Sequence, residues 1–318
     1  MGKFDLLETL SRSKMLRAGL GAPLFEASRR LWTVTPDKLR ATPPFRAYGS
    51  FLQRLAKLKQ TRRQSSWTCF LRNRAQVDFI GEVGRRVCDG GKLSIAIFGC
   101  STGAEAFSTA YALRDSLARV SIEIKASDID AVNVAAARLA RFDPTEREVE
   151  GLSAEERAAL FDLGDDGALI VKERWRRPVT FSVIDACAPD LAERTGLHDL
   201  VLANKFLCHL EPEAARRCFR NLASAVRPGG TLLVSGVDLD VKARAARDLG
   251  LIPDESSIAA LHEGDVTLRQ GWPFEYWGLE PLDRRRRDYA FRYASAFIKP
   301  GGNPFRRESS SDRARAAG

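Results

Sequence analysis

The sequence predicts an α/β fold: a doubly wound, mostly parallel sheet preceded by a small all-helical segment. Three observations carry this expectation. From residue 92 onward, short apolar runs rich in Ile, Val and Leu alternate with stretches of helical period, the pattern of strand, helix, strand units. The first such run, residues 93–99 (LSIAIFG), is bounded by turn residues and apolar on both faces, as a buried parallel strand should be. Residues 5–59 instead carry apolar side chains at spacings of three and four, punctuated by Pro36, Pro43 and Pro44.

Taken in order, residues 5–59 should form several short helices, with Leu20, Leu24, Phe25 and Leu31, then Phe51, Leu55 and Leu58, on their apolar faces. A polar stretch over 59–66 leads to an amphipathic helix that stops at Asp89-Gly90-Gly91. The strand at 93–99 is followed by a helix over 104–119, a second strand over 121–130 and a second helix over 131–142. An acidic helical stretch at 153–161 precedes an expected β-hairpin near 163–181. Then come a strand at 199–204, a helix at 212–226, a turn at Arg227-Pro228-Gly229-Gly230 and a strand at 231–237. Trp272, Phe274, Tyr276 and Trp277, grouped around Pro273, read as core packing, with a cap over a substrate cleft or a partner surface as the alternative. The expected domains are a basic helical segment at 1–75, a ligand-binding domain at 76–300 and a disordered polar tail at 301–318.

Charge is unevenly spread. The chain of 318 residues carries +9, yet residues 1–75 hold 16 Lys and Arg against 4 Asp and Glu, so the positive charge belongs to the front segment. Such a segment attracts an acidic protein face, an anionic membrane surface or nucleic acid; Arg284 to Arg287 add basic charge, but no recognisable nucleic-acid module accompanies them. The cysteines (69, 88, 100, 187, 208, 218) and the histidines (198, 209, 262) lack ligand spacing, so no metal is expected and most thiols read as small core residues. Without a signal-like or bilayer-length apolar run, a cytoplasmic, monomeric protein is expected.

The chemistry sits where the first strand meets its helix. The loop Gly99-Cys100-Ser101-Thr102-Gly103 lets backbone approach a ligand, and Asp128, 25 residues beyond Gly103 at the end of the second strand, can accept hydrogen bonds from both ribose hydroxyls of an adenosine cofactor. A dinucleotide or S-adenosylmethionine would fit that pairing. The loop lacks the G-x-G-x-x-G approach a pyrophosphate needs, and Glu105 in the first helical turn would repel phosphate while attracting a sulfonium or ammonium group. Both features favour S-adenosylmethionine, with S-adenosylhomocysteine as its product.

Four ordered motifs carry a family resemblance over about residues 60–240. Residues 66–72 (SWTCFLR), 101–113 (STGAEAFSTAYAL), 126–142 (ASDIDAVNVAAARLARF) and 200–236 (LVLANKFLCHLEPEAARRCFRNLASAVRPGGTLLVSG) together resemble CheR-type methyltransferases, which methylate glutamate side chains of bacterial chemoreceptors. The resemblance implies a class I, Rossmann-like methyltransferase fold. It implies that Thr68 and Arg72, matching N-x-T-x-F-F-R, lie at the cofactor or its reacting end, that Gly99, Ser101, Gly103 and Glu105 form the cofactor loop and that Asp128 holds the ribose. Asp185 and Ala186 fall where the family has Asn-Leu beside adenine, and Ala203 and Asn204 match the Arg and Asn of R-N-V-x-I-Y-F. Asp130 reads as the start of the next helix.

Departures are Ser66 for Asn, Leu71 for Phe, Ala104 for Glu, Ala203 for Arg and, at the acceptor side, His209, read as standing where the family has Tyr. Arg72 is expected to orient an acceptor carboxylate, and His209 to donate a hydrogen bond or serve as general base for a less acidic acceptor. The implied function is methyl transfer to a protein glutamate. Alternatives are a small-molecule or other protein acceptor, and a non-catalytic module that binds S-adenosylmethionine or S-adenosylhomocysteine in signalling. The implied partner is an acidic protein, such as a membrane chemoreceptor's cytoplasmic domain, met by the basic front segment, with the hairpin as a shortened receptor tether.

Overall fold

The computed structural model describes residues 21–86, 91–115 and 120–301. Cys88, the expected helix stop at Asp89-Gly90 and the tail at 302–318 lie outside the described residues, as does the front of the basic segment. Two compact units emerge, and they divide the chain differently from the expected boundary near residue 75. Residues 21–63 pack with Thr267–Pro281, whereas residues 64–266 pack with 282–301. Residues 66–72 go with the second unit because their backbone bonds into it: Phe70 N donates to Glu148 O at 2.8 Å and Leu71 N to Ser108 Oγ at 2.9 Å.

The first unit holds helices α1 (Gly21–Val34), α2 (Asp37–Arg40) and α3 (Pro43–Lys59). Prolines open α3, where a missing N–H costs nothing. The buried stripe of α3 is Gly49, Leu52, Gln53 and Ala56; Phe51 and Leu58, expected inward, are exposed. The reason lies far along the chain. Residues 267–281 bring large rings onto this unit, with Trp272 edge-on to Trp32 at 5.2 Å and Phe274 edge-on to Phe25 at 5.5 Å. A Cβ on Gly49 would stand 2.3 Å from the Trp272 ring, so the face that receives the rings must be lined by small residues. Gln60 fixes the arrangement, donating to Phe274 O and accepting from Tyr276 N, each at 3.0 Å. Packing is thus the role of these aromatics.

The second unit is built on a seven-stranded sheet in the order β6-β2-β1-β7-β8-β10-β9. Its strands are β1 (Lys92–Phe98), β2 (Ser121–Asp128), β6 (Val179–Val183), β7 (His198–Asn204), β8 (Val226–Ser235), β9 (Ile252–Pro253) and β10 (Ala296–Ile298). β6, β2, β1, β7 and β8 run parallel; β10 is antiparallel to β8 and β9. Helices α4 (Arg74–Arg86), α5 (Ala104–Ala112), α6 (Ala131–Leu139), α7 (Ala154–Leu160), α8 (Leu191–Thr195), α9 (Pro212–Ala225), α10 (Leu239–Asp248), α11 (Ile258–Gly264) and α12 (Tyr289–Tyr293) accompany the sheet. Leu93, Ile95, Ile97 and Phe98 of β1 and Phe107 of α5 are fully buried, each contributing about 1.5–3 kcal/mol of transfer free energy. Asp130 caps α6 through Val132 N, as its sequence position predicts.

The chain winds β1, β2, β6 to one side and returns with β7 on the other side of β1. Strand order therefore reverses at β1, and a crevice opens beyond the carboxyl ends of β1 and β7.

The expected hairpin near 163–181 takes a different form. β4 (Phe161–Leu163) and β5 (Leu169–Val171) make a shorter hairpin, which joins β3 (Arg141–Phe142) in a three-stranded sheet. Gly164 and Gly167 close its turn, Gly167 at φ 82°. The run 179–183 leaves the hairpin for the main sheet because its register matches β2, Val179 opposite Ile124 through Val183 opposite Asp128. A helical turn at Glu173–Arg176, anchored by buried Trp175, separates the two.

Candidate active site

The crevice is a cleft of about 280 Å³, open to solvent. Its floor is the β1–α5 loop. Gly99 turns at φ 74°, and Gly99 N and Cys100 N both donate to Ser127 O, at 2.8 and 2.9 Å, which ties the loop to the end of β2. A Cβ on Gly99 would meet the Phe206 ring at 2.8 Å, so only glycine lets backbone form this cradle. Ser101, itself left-handed at φ 50°, donates its N–H to Asp128 Oδ2 at 2.8 Å, while Asp130 N donates to Oδ1 at 2.9 Å. Two backbone donors thus fix the carboxylate, each oxygen keeping a lone pair for a ligand hydroxyl.

The other end of the cleft is ionic. Glu105 accepts from Asn204 Nδ2, and Asn204 Oδ1 accepts from Ser235 Oγ at 2.9 Å. Burial pushes the Glu105 carboxyl above the usual range, against the Asn204 hydrogen bond and the charges of Arg72 and Lys205. Arg72 lays its guanidinium over the Trp67 ring at 4.1 Å and donates through Nη1 to Trp67 O at 3.4 Å. Its Nε is buried with no hydrogen-bond partner among the described residues, and burial lowers the pKa of the group. Stacking on an aromatic face with a free donor edge is the geometry in which arginine recognises a planar anion.

Of the residues expected at the site, Thr68, Arg72, Gly99, Ser101, Glu105, Asp128, Asp185, Ala186, Asn204 and His209 line this one cleft. Gly103 and Ala203 do not. Gly103, at φ 91°, is packed beneath it, where an added Cβ would meet Ala137, Phe107 and Phe181 at 3.1 Å. Ala203 is fully buried, since alternation along β7 turns it to the face opposite Asn204. The reading of His209 also changes. Counted from Asn204, the tyrosine of R-N-V-x-I-Y-F falls on Cys208, which is buried with its Sγ directed to Lys205 O, while His209, the last residue of a 3-10 turn, takes the phenylalanine position.

Lys205, Trp67 and Phe206 also line the cleft and were missed. Lys205 was the legible one, a lysine where the motif has valine. Cys100, Cys208 and Cys218 are buried, whereas Cys69 and Cys187 are half-buried and Cys187 lines the cleft. Among the described residues no group of three His, Cys, Asp or Glu converges as a metal site requires.

A doubly wound domain with a ribose-spacing carboxylate, a glycine cradle and no pyrophosphate loop is the class I architecture of S-adenosylmethionine-dependent methyltransferases. The chain belongs to the CheR methyltransferase family: residues 66–243 match the family described as "CheR methyltransferase, SAM binding domain". It is 32% identical over 168 residues to the "Probable biofilm formation methyltransferase WspC" of Pseudomonas putida, covering 52% of this chain and 38% of that protein. It is 29% identical over 142 residues to a "Chemotaxis protein methyltransferase" of Vibrio parahaemolyticus, covering 42% and 50%, and 26% identical over 172 residues to one of Listeria innocua, covering 53% and 63%. The matches thus span less than two thirds of each relative's length. No described helix is long and apolar enough to cross a membrane.

Proposed function

We propose that the protein transfers a methyl group from S-adenosylmethionine to a side-chain carboxylate of an acidic protein, glutamate being the acceptor, and that the partner is a chemoreceptor-type protein. The observation that carries this reading is Arg72, stacked on Trp67 with a buried, unsatisfied Nε and lining the same cleft as Asp128.

The residues fit the cofactor. Asp128, already oriented by Ser101 N and Asp130 N, would hold the ribose hydroxyls; Asp185 and Ala186 would border the adenine; Glu105 and Asn204 would meet the methionine end. Bound there, S-adenosylmethionine supplies an electrophilic methyl on a sulfonium. Arg72 then has one task, to hold the acceptor oxygen in line by charge-assisted hydrogen bonds. No base is needed, because a carboxylate is ionised at neutral pH. His209, within the same cleft, serves as the discriminating residue. With a carboxylate acceptor, His209→Ala retains kcat within a few-fold, whereas an acceptor needing deprotonation would lose roughly 10²–10⁴-fold.

The relatives' names as chemotaxis methyltransferases support the chemoreceptor reading, and so does the +12 front segment, whose charge suits an acidic methylation helix.

A further inference from the structure

Lys205 has no part in the cofactor fit, and its surroundings are unusual for a lysine. It sits one residue past β7 in a left-handed conformation, φ 63°, with its N–H donated to Ser235 O at 2.9 Å. Gly236 presses against it so closely that a Cβ there would lie 2.5 Å from Lys205 Cα. Left-handed backbone at a long side chain persists only where the surroundings impose it. The side chain is 8% exposed and its Nζ donates to Asp265 Oδ1 at 2.6 Å, while Asp265 Oδ2 is buried with no partner among the described residues. Lys205 also lines both the main cleft and a smaller cavity of about 50 Å³, whose walls share Thr68, Arg72, Glu105 and Asn204 with it.

We propose that Lys205 is a second acceptor-binding cation, which together with Arg72 selects a carboxylate over its neutral isostere. Resting on the carboxylate-acceptor reading, this adds a residue the family motif does not carry, since that motif has valine here. One Nζ proton goes to Asp265 and the ammonium has two more to give; Arg72 offers Nε. Lys205 lies within the field of Arg72, and both line the same cleft and smaller cavity as Asn204. Asp265 balances Lys205, which limits how far the pair blunts the nucleophile. In the transfer itself the acceptor oxygen forms a bond to the methyl carbon as the carbon–sulfur bond breaks, the electron pair staying on sulfur; a carboxylate and a sulfonium become a neutral ester and a neutral thioether. Lys205 therefore holds the substrate more strongly than the product. It acts on acceptor binding and on ester release.

The test loads the full chain with S-adenosylhomocysteine and titrates it, by NMR, with N-acetylglutamate N-methylamide and with the corresponding glutamine compound. Wild type should bind the carboxylate about tenfold tighter than the amide. Lys205→Met should reduce that ratio to threefold or less while S-adenosylhomocysteine affinity stays within twofold, a split that a merely structural role would not produce. If Lys205→Met does not fold because Asp265 is stranded, the double variant Lys205→Met/Asp265→Asn carries the same expectation. A ratio that survives the substitution overturns the role of Lys205 and leaves the carboxylate reading intact. A wild type that does not distinguish the two compounds overturns both.

Discussion

On the proposed reading three side chains decide the chemistry, and each makes a separable prediction. Asp128 is oriented by two backbone donors, so Asp128→Ala should remove ribose recognition without disturbing the loop's other bonds. Two hydrogen bonds to a charged acceptor, each about 1.5–3 kcal/mol, set an expected loss of at least 100-fold in S-adenosylhomocysteine affinity by calorimetry. Arg72→Ala should leave that affinity within a few-fold and cut kcat/KM by about 100-fold, measured with the same acceptor preparation; unchanged turnover would sink the orienting role. Glu105 links the site to pH. Its folded pKa is raised by burial, so its proton stabilises the folded state below the unfolded value near 4.5 and that stability is lost as pH rises through the folded pKa. Binding of the cationic cofactor favours the ionised form, so affinity should climb over that same interval, and Glu105→Gln should flatten the profile.

At the scale of elements, the β1–α5 loop and α3 show what a linear sequence reveals and what it hides. Gly99, Asp128 and the Asp130 cap were legible because each is fixed by neighbours in sequence: a strand end, a turn, a helix start. The departure at Lys205 was legible in the same way, but its pairing with Asp265, 60 residues on, was not, since only the fold brings the two together. Ala203 was misread because one residue of register reverses the face it presents. The buried stripe of α3 was hidden for a similar reason, being defined by rings more than 200 residues away.

Gly49 tests that last assignment. In an exposed helix Gly→Ala would stabilise by about 0.5–1 kcal/mol, but here the new methyl overlaps Trp272. Overpacking of about 1–3 kcal/mol should win, and thermal melting of Gly49→Ala should show a lowered midpoint. A raised midpoint would mean that residues 267–281 do not lie on α3.

For the whole molecule, charge sets the acid stability and carries the proposed choice of partner. His198 is 1% exposed, hydrogen-bonded through Nδ1 to Ser94 Oγ at 2.9 Å, and burial lowers its pKa to about 4. A base with a depressed folded pKa contributes stability above its unfolded value, near 6.5, and loses it as pH falls toward 4. That loss amounts to about 3 kcal/mol by linkage, and His198→Gln should remove this part of the acid slope in denaturant titrations.

The positive front segment should make receptor methylation fall with ionic strength while binding of the net-cationic cofactor changes far less. Most direct of all is the nature of the product. Protein incubated with methyl-labelled S-adenosylmethionine and membranes from its own cells should yield label that mild alkali releases as volatile methanol, and Asp128→Ala should abolish it. Label on protein that withstands alkali, or volatile label that persists in Asp128→Ala, would contradict carboxyl methylation through this cleft.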